Sequence, residues 1–155
     1  MRYRLLGSFV AVTVALTSMA HATEVKSKIE VKGDPAKVWS AVGGWCAISD
    51  WHPVIAKCEE SQDGGKTRRT LTTKDGGVIK ETMLKKSATS YSYQIDESPL
   101  PVSNYSATFA VMKQGKGSSI VWSAKFEPKG KEADAKKVIS GIFKAGLDQI
   151  QKKVD

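Results

Sequence analysis

Two charged side chains stand on strand faces that the sequence otherwise fills with apolar residues. Arg69 belongs to the run Arg69-Thr70-Leu71, and Glu81 lies in the next predicted strand. A buried charge is costly unless it is paired, so we expect Arg69 and Glu81 to form an ion pair. The pair has two interpretations. It can fix the register of the strands, or Arg69 can hold an anionic or carbonyl group of a ligand while Glu81 orients it.

His52, between Trp51 and Pro53, is the side chain downstream of residue 22 whose ordinary pKa is closest to neutral. A catalytic histidine needs an orienting partner and a nucleophile, and no Ser/His/Asp or Cys/His spacing supplies them here. We therefore favour a histidine that shapes the loop below the first helices. No catalytic residue is predicted, and we expect a binding protein rather than an enzyme.

Aromatic side chains with polar tips share the inward faces of the predicted strands. Such rings form rigid walls that also carry hydrogen-bonding groups. The connection 97–101 contains two prolines, and it is either a rigid surface turn or a lid with Leu100 at its tip. The predicted ligand-binding residues are Trp51, His52, Arg69, Glu81, Tyr91, Tyr93, Leu100, Tyr105, Trp122 and Phe143.

Cys46 and Cys58 are the two cysteines of the chain. An even count in an exported protein favours a disulfide, which for a loop of this size stabilises by about 3 kcal/mol. Two buried thiols or half of a metal site are the alternatives. A metal site is disfavoured because a single histidine follows residue 22 and no Cys-x-x-Cys pair occurs. We predict no metal and no cofactor.

The amino-terminal 22 residues have the pattern of a secretory signal peptide. Arg2 and Arg4 precede an apolar run from Leu5 to Leu16, and Ala20-His21-Ala22 fits a cleavage site. We predict cleavage after Ala22, which leaves 23–155 as one domain in the periplasm or outside the cell. A retained membrane anchor is the alternative, but the apolar run is shorter than the roughly 20 residues that span a bilayer.

The chain is basic, with a formal net charge of +8 that falls to +6 without Arg2 and Arg4. Export and the scattered positions of the lysines disfavour a nucleic-acid partner. Attraction to an acidic periplasmic protein or to anionic lipid stays open.

Periodicity predicts the elements that position these side chains. Asp34 and Pro35 favour a helix start, and Gly43-Gly44 favours its end before a second short helix at 45–49. Apolar residues recur at threes and fours over 131–154, which predicts a long amphipathic helix. The predicted strands, each alternating between two faces, are 24–32, 54–61, 67–73, 78–86, 89–96, 103–113 and 118–126. This order predicts an α+β helix-grip fold, in which a curved seven-stranded antiparallel sheet wraps around the carboxy-terminal helix.

The motifs of the chain, and the order in which they follow one another, resemble those of the polyketide cyclase/dehydrase and lipid-transport family. This family belongs to the START-like (SRPBCC) superfamily, which includes the birch-pollen allergens, and the resemblance is closest to its exported MxaD-like branch. The motifs that carry it are Asp34-Pro35-Ala36-Lys37-Val38-Trp39, Trp51-His52-Pro53, Arg69-Thr70-Leu71, Gly76-Gly77 before Glu81, Pro99-Leu100-Pro101 with Tyr105, and Val121-Trp122-Ser123 before Phe126. The resemblance implies a deep apolar cavity for a small hydrophobic or amphipathic molecule.

The connection 97–101 departs from one known relative. Plant abscisic-acid receptors of this superfamily carry a Ser-Gly-Leu-Pro gate, and the equivalent stretch here is Ser98-Pro99-Leu100-Pro101. Pro99 replaces the flexible glycine, so a mobile gate is not implied.

Three functions are compatible with these observations. We expect a periplasmic protein that binds a small hydrophobic ligand between the sheet and the last helix. The alternatives are a polyketide cyclase- or hydrolase-like enzyme, and an accessory protein that docks onto an acidic periplasmic redox partner.

Overall fold

The computed structural model describes residues 22–154, so the predicted signal peptide lies outside the described residues except for Ala22. The elements are β1 (Thr23–Val31), α1 (Pro35–Val42), α2 (Ile48–Trp51), β2 (Ile55–Asp63), β3 (Lys66–Thr73), β4 (Val78–Lys86), β5 (Ser90–Glu97), β6 (Val102–Gln114), β7 (Gly117–Pro128) and α3 (Glu132–Val154). Among these helices, none is long and apolar enough to span a membrane.

All seven strands form one antiparallel sheet in the order β1-β7-β6-β5-β4-β3-β2. Although β1 and β2 follow one another in sequence, they lie at opposite edges, and α1 and α2 carry the chain between them. Helix α3 covers the concave face with one apolar stripe. The buried residues of that stripe are Ala135, Ile139, Phe143, Gly146, Leu147 and Ile150. The predicted helix-grip fold is confirmed.

The strand predictions agree with the structure, and their ends are displaced by up to two residues. Alternation places the apolar side chains on the concave face because successive residues of a strand point to opposite sides. Short turns or connections join the consecutive strands from β2 to β7. The turn between β3 and β4 uses Gly76 at φ +90°, a conformation that favours glycine.

Helix α1 begins as the sequence predicts. The Asp34 carboxylate accepts a hydrogen bond from the Ala36 amide at 3.0 Å, and Pro35 occupies the first helical position. The second helix is displaced from its predicted range of 45–49 to Ile48–Trp51. The residues before it form a turn in which the Ala47 amide donates to the Gly44 carbonyl at 3.0 Å.

The predicted disulfide is confirmed. Cys46, in the segment between α1 and α2, is bonded to Cys58 in β2, and the two Cα atoms are 5.4 Å apart. The bond therefore ties the helical crossover to the edge strand of the sheet.

Candidate functional site

A pocket of about 410 Å³ lies between the concave face of the sheet and α3. Its apolar lining comes from α2 and the loop after it, from β2 to β5, from the β5–β6 connection and from α3. The apolar lining residues are Ile48, Pro53, Val54, Ile55, Leu71, Ile79, Ile95, Pro99, Leu100, Ile139, Ile142 and Phe143. Most of this wall offers dispersion contacts and no hydrogen bonds, as is usual for sites that hold small molecules.

A buried ion pair lies at the inner end of the pocket. Arg69 in β3 and Glu81 in β4 are register partners, and the Arg69 Nε atom donates to the Glu81 Oε2 atom at 2.5 Å. This confirms the predicted pair. The Glu81 side chain is 6 % exposed and lines the pocket, whereas the Arg69 side chain is fully enclosed and is not part of the wall.

The Arg69 guanidinium is held from a second side by Trp45. Its Nη1 atom donates to the Trp45 carbonyl at 2.5 Å, and its Cζ atom lies 3.8 Å from the centroid of the Trp45 ring. Cation–π contact and hydrogen bonding together hold the charge away from the pocket. The local sequence gave no signal for this partner, because Trp45 comes from the crossover between α1 and α2.

Burial sets the protonation of the groups around this pair. It raises the pKa of Glu81, an effect that the Arg69 guanidinium opposes. Burial lowers the pKa of Arg69, but the Glu81 carboxylate more than offsets this and the guanidinium stays charged. Burial also raises the pKa of the phenols of Tyr93 and Tyr105, so both remain protonated at neutral pH.

Aromatic rings form the deep wall of the pocket. The Trp122 Nε1 atom donates to the Tyr93 hydroxyl at 3.0 Å, and the Trp122 ring stacks on Phe143 of α3 with centroids 4.3 Å apart. Tyr105 stacks on Phe126 at 6.2 Å. The Tyr93 hydroxyl accepts from Trp122 and also has a hydrogen-bond contact with the Tyr105 hydroxyl, which partly counteracts the effect of burial on the pKa of Tyr105.

His52 joins the loop after α2 to the last helix. Its Nε2 atom lies 3.0 Å from the Ile142 carbonyl, and its Nδ1 atom accepts from the Val54 amide at 3.4 Å. The Nε2 atom therefore carries the proton and the ring is neutral. Burial lowers the pKa of His52, while its bond to the Ile142 carbonyl opposes this. Both nitrogens are engaged, which leaves neither available as the acid or base of the enzyme hypothesis.

The mouth of the pocket lies between the β3–β4 turn and the β5–β6 connection. Leu100 lines the pocket and is partly buried, while Pro99 is exposed beside Gly77. The turn is held by Asp75, whose carboxylate accepts from the Thr73 hydroxyl and, at 3.4 Å, from the Gly77 amide. The β3–β4 side of the mouth is therefore internally braced.

One protein-family model matches the whole described part of the chain. Residues 22–155 match the family described as polyketide cyclase / dehydrase and lipid transport. The chain belongs to this family. No curated protein matches the chain significantly.

Solved structures agree with this family assignment. An uncharacterized protein from Bacillus thuringiensis is 28% identical with a TM-score of 0.80, and the match covers 85% of this chain and 98% of that one. The protein XoxI from Bacillus cereus is 29% identical with a TM-score of 0.79, covering 84% of this chain and 94% of that one. A norcoclaurine synthase point mutant from Thalictrum flavum, in complex with a transition state analogue, shares the fold at 23% identity, with a TM-score of 0.64 and coverage of 89% and 97%.

In this polyketide cyclase/dehydrase and lipid-transport family member, seven of the ten predicted ligand-binding residues line the pocket. They are His52, Glu81, Tyr93, Leu100, Tyr105, Trp122 and Phe143. Trp51, Arg69 and Tyr91 lie outside the wall, so ligand contact by these three stays a prediction. The Trp51 Nε1 atom donates to the Val42 carbonyl at 3.1 Å, which fixes α2 against α1.

Part of the wall was not predicted from the sequence. Ile139 and Ile142 line the pocket from α3, and Lys74 and Asp75 line it from the β3–β4 turn. The helical stripe marked the two isoleucines as buried without distinguishing core from pocket. Within residues 22–154, no group of three or more His, Cys, Asp or Glu side chains is placed to hold a metal ion.

Proposed function

We propose that this protein is an exported binding protein that holds one small, mainly hydrophobic molecule in the pocket between the sheet and α3. The observation that carries the proposal is the pocket of about 410 Å³, whose wall is largely apolar, inside a domain with a large buried core. An apolar lining around a few converging polar groups is typical of small-molecule sites.

Burial of apolar surface supplies the affinity in this proposal. A ligand that buries about 200 Å² of apolar surface gains about 5 kcal/mol, before the costs of association are subtracted. The braced β3–β4 side of the mouth and the stacked aromatic wall reduce the cost of ordering the site, because these side chains are already fixed in the absence of ligand.

Export is the second part of the proposal. It rests on the signal-peptide pattern of residues 1–22 and on the Cys46–Cys58 disulfide, which is compatible with an oxidising compartment. We assign the protein to the periplasm and, by its motifs, to the exported MxaD-like branch of its family.

A substitution that fills the pocket tests the binding proposal. Ile142 lines the pocket from α3, and a tryptophan there occupies the space for a ligand. With the neutral fluorescent compound N-phenyl-1-naphthylamine, we expect Ile142→Trp to weaken binding by about tenfold or more, which corresponds to about 1.4 kcal/mol.

Val138→Trp is the matched control. Val138 lies one turn earlier on α3, is 39% exposed and does not line the pocket. It should bind the compound as the wild-type protein does. Equal binding by a correctly folded Ile142→Trp variant would refute the proposed site.

A further inference from the structure

In the Arg69–Glu81 ion pair, the Glu81 carboxylate is the member that a ligand can contact, because the Arg69 guanidinium is enclosed by the protein. Glu81 lines the pocket, whereas the Arg69 side chain is fully enclosed behind it. The Arg69 Nε and Nη1 atoms donate to Glu81 and to the Trp45 carbonyl, and Nη2 is buried with no hydrogen-bond partner among residues 22–154. An anionic ligand would therefore meet the carboxylate before it met the guanidinium.

One oxygen of Glu81 is free to accept a hydrogen bond. Oε2 accepts from Arg69, while Oε1 makes no hydrogen bond to any residue between 22 and 154, and the Glu81 side chain as a whole is 6 % exposed. Because Glu81 contributes to the pocket wall, this oxygen is available to a donor on a bound molecule. A hydrogen bond to a charged acceptor in such an enclosed place is stronger than one between neutral groups.

Two neutral phenol hydroxyls line the pocket together with Glu81. Tyr93 and Tyr105 line the same pocket and stay protonated, and the Tyr93 oxygen is held by Trp122. Hydroxyls can accept as well as donate, so a ligand hydroxyl can donate to Glu81 and accept from a tyrosine. Lys74 is the cationic side chain among the described lining residues, but it is exposed at the mouth, where water screens its charge.

We infer that the pocket selects molecules with an apolar body and a neutral hydrogen-bond donor, such as an alcohol or a phenol, over carboxylates of the same size. The inference rests on the proposed function and names the ligand class of that site. In this inference, the Glu81 carboxylate accepts a hydrogen bond from the donor group of the ligand. Arg69 becomes a positioning residue that keeps Glu81 ionised and oriented, in place of the direct anion contact expected from the sequence.

Three compounds with one apolar body test the inference on the wild-type protein at neutral pH. They are 2-naphthol, which has a donor, 2-methoxynaphthalene, which lacks it, and 2-naphthoate, which is an anion. We expect 2-naphthol to bind about tenfold or more tightly than either of the others, as suits one hydrogen bond to a charged acceptor. Isothermal titration calorimetry or chemical-shift titration gives the three dissociation constants.

Two sets of variants connect the preference to the ion pair. Replacing both partners, Arg69→Met with Glu81→Leu, removes the charges with little change in volume, and such exchanges are often tolerated. It should bring the affinity for 2-naphthol to within about threefold of that for 2-methoxynaphthalene, because the charged acceptor is gone. Glu81→Gln leaves the guanidinium unmatched and should shift the preference towards 2-naphthoate.

A second ion pair on β4 supplies the control. Lys80 and Glu97 pair at 2.7 Å on the exposed face of the sheet. Replacing both, Lys80→Met with Glu97→Gln, should leave the ratio between 2-naphthol and 2-methoxynaphthalene unchanged.

The outcomes separate the inference from the proposed function. Equal affinity for all three compounds, or tightest binding of 2-naphthoate, overturns the donor preference and leaves the binding function standing. A preference for 2-naphthol that survives in the Arg69→Met, Glu81→Leu variant overturns the role of Glu81. If none of these compounds and no N-phenyl-1-naphthylamine binds, both the inference and the proposed function fail.

Discussion

His52 is a buried neutral imidazole whose two nitrogens join the loop after α2 to the backbone of α3. Its neighbours include Trp51 and Trp122, with ring centroids at 5.8 and 6.0 Å. A proton added to Nδ1 would remove the acceptor of the Val54 amide and place a charge among aromatic rings. The ring therefore makes the fold sensitive to acid.

The pH dependence of stability tests this role of His52. Burial lowers its pKa below 6.5 in the folded state, so the unfolded chain binds the proton more readily. Above about pH 6.5, His52 should contribute its full stabilisation of the folded state. The free energy of unfolding should fall as the pH drops below that value. Urea titrations at about pH 7.5 and about pH 5 should show a larger loss for the wild type than for His52→Gln.

The comparison with His52→Gln is needed because Glu81 acts in the opposite direction. Burial raises the pKa of Glu81, so the folded state takes up its proton first and gains stability as the pH falls. That contribution is common to both proteins and cancels in their difference. Parallel pH profiles for the two proteins would contradict the assignment of His52.

At the residue scale, the sequence predicted that Arg69 and Glu81 pair with each other. It did not predict that Trp45 also contacts the Arg69 guanidinium. Strand alternation alone placed Arg69 and Glu81 on one face of adjacent strands, and the pair follows from the cost of a lone buried charge. Which of the two meets the pocket depends on the Trp45 carbonyl, which comes from 24 positions earlier in the chain. Contacts of that range leave no local pattern.

Helix α3 packs closely against the end of α2 at Gly146. A Cβ atom at Gly146 would lie 2.7 Å from the His52 ring and 2.9 Å from the Trp51 ring. Gly141, one and a half turns earlier on the same helix, is exposed and has nothing within 4 Å of the same position. The two glycines share a helix but differ in what surrounds them.

This difference predicts opposite effects for one substitution. Gly146→Ala should lower the free energy of unfolding by about 1–2 kcal/mol, because overpacking exceeds the gain in helix propensity. Gly141→Ala should raise it by up to about 1 kcal/mol, because alanine favours the helix and nothing obstructs its methyl group. Chemical denaturation measures both, and a stabilising Gly146→Ala would contradict the close packing of α3 against Trp51 and His52.

At the element scale, periodicity predicted what is local. The strands and α3 were predicted to within two residues because their patterns depend on neighbours in sequence. The displacement of α2 has another origin. Trp45 was predicted to begin the second helix, but its ring and carbonyl hold Arg69. A tertiary contact outweighed a weak local preference there.

The Cys46–Cys58 bond affects the stability of the whole domain, because it joins the crossover to an edge strand. Reduction should lower the free energy of unfolding by about 3 kcal/mol, as expected for a loop of this size. Urea midpoints with and without a reducing agent measure the effect. A Cys46→Ala, Cys58→Ala variant should start from the lower value and show no response to reductant, and an unchanged midpoint for the reduced wild type would contradict the prediction.

At the scale of the whole molecule, the architecture and a cavity between the sheet and the last helix were predictable, but the full set of residues that line the cavity was not. A two-faced sheet and a long amphipathic helix bury their apolar faces only against each other. Ile139, Ile142 and Ile150 belong to one helical stripe, yet the first two line the pocket and Ile150 does not. Whether facing side chains meet or leave a space depends on sheet curvature and on several distant residues at once.

The position of β1 has a consequence for how the polypeptide is made. Its hydrogen-bond partner is β7, with Thr23 opposite Phe126, while the strand that follows it in sequence pairs at the far edge. During synthesis the first strand emerges long before its neighbour exists, so the sheet closes only when nearly the entire chain has left the ribosome. Pairing between such distant segments slows folding. A nascent chain of this topology therefore stays open for longer, which is compatible with the export that we propose for this protein.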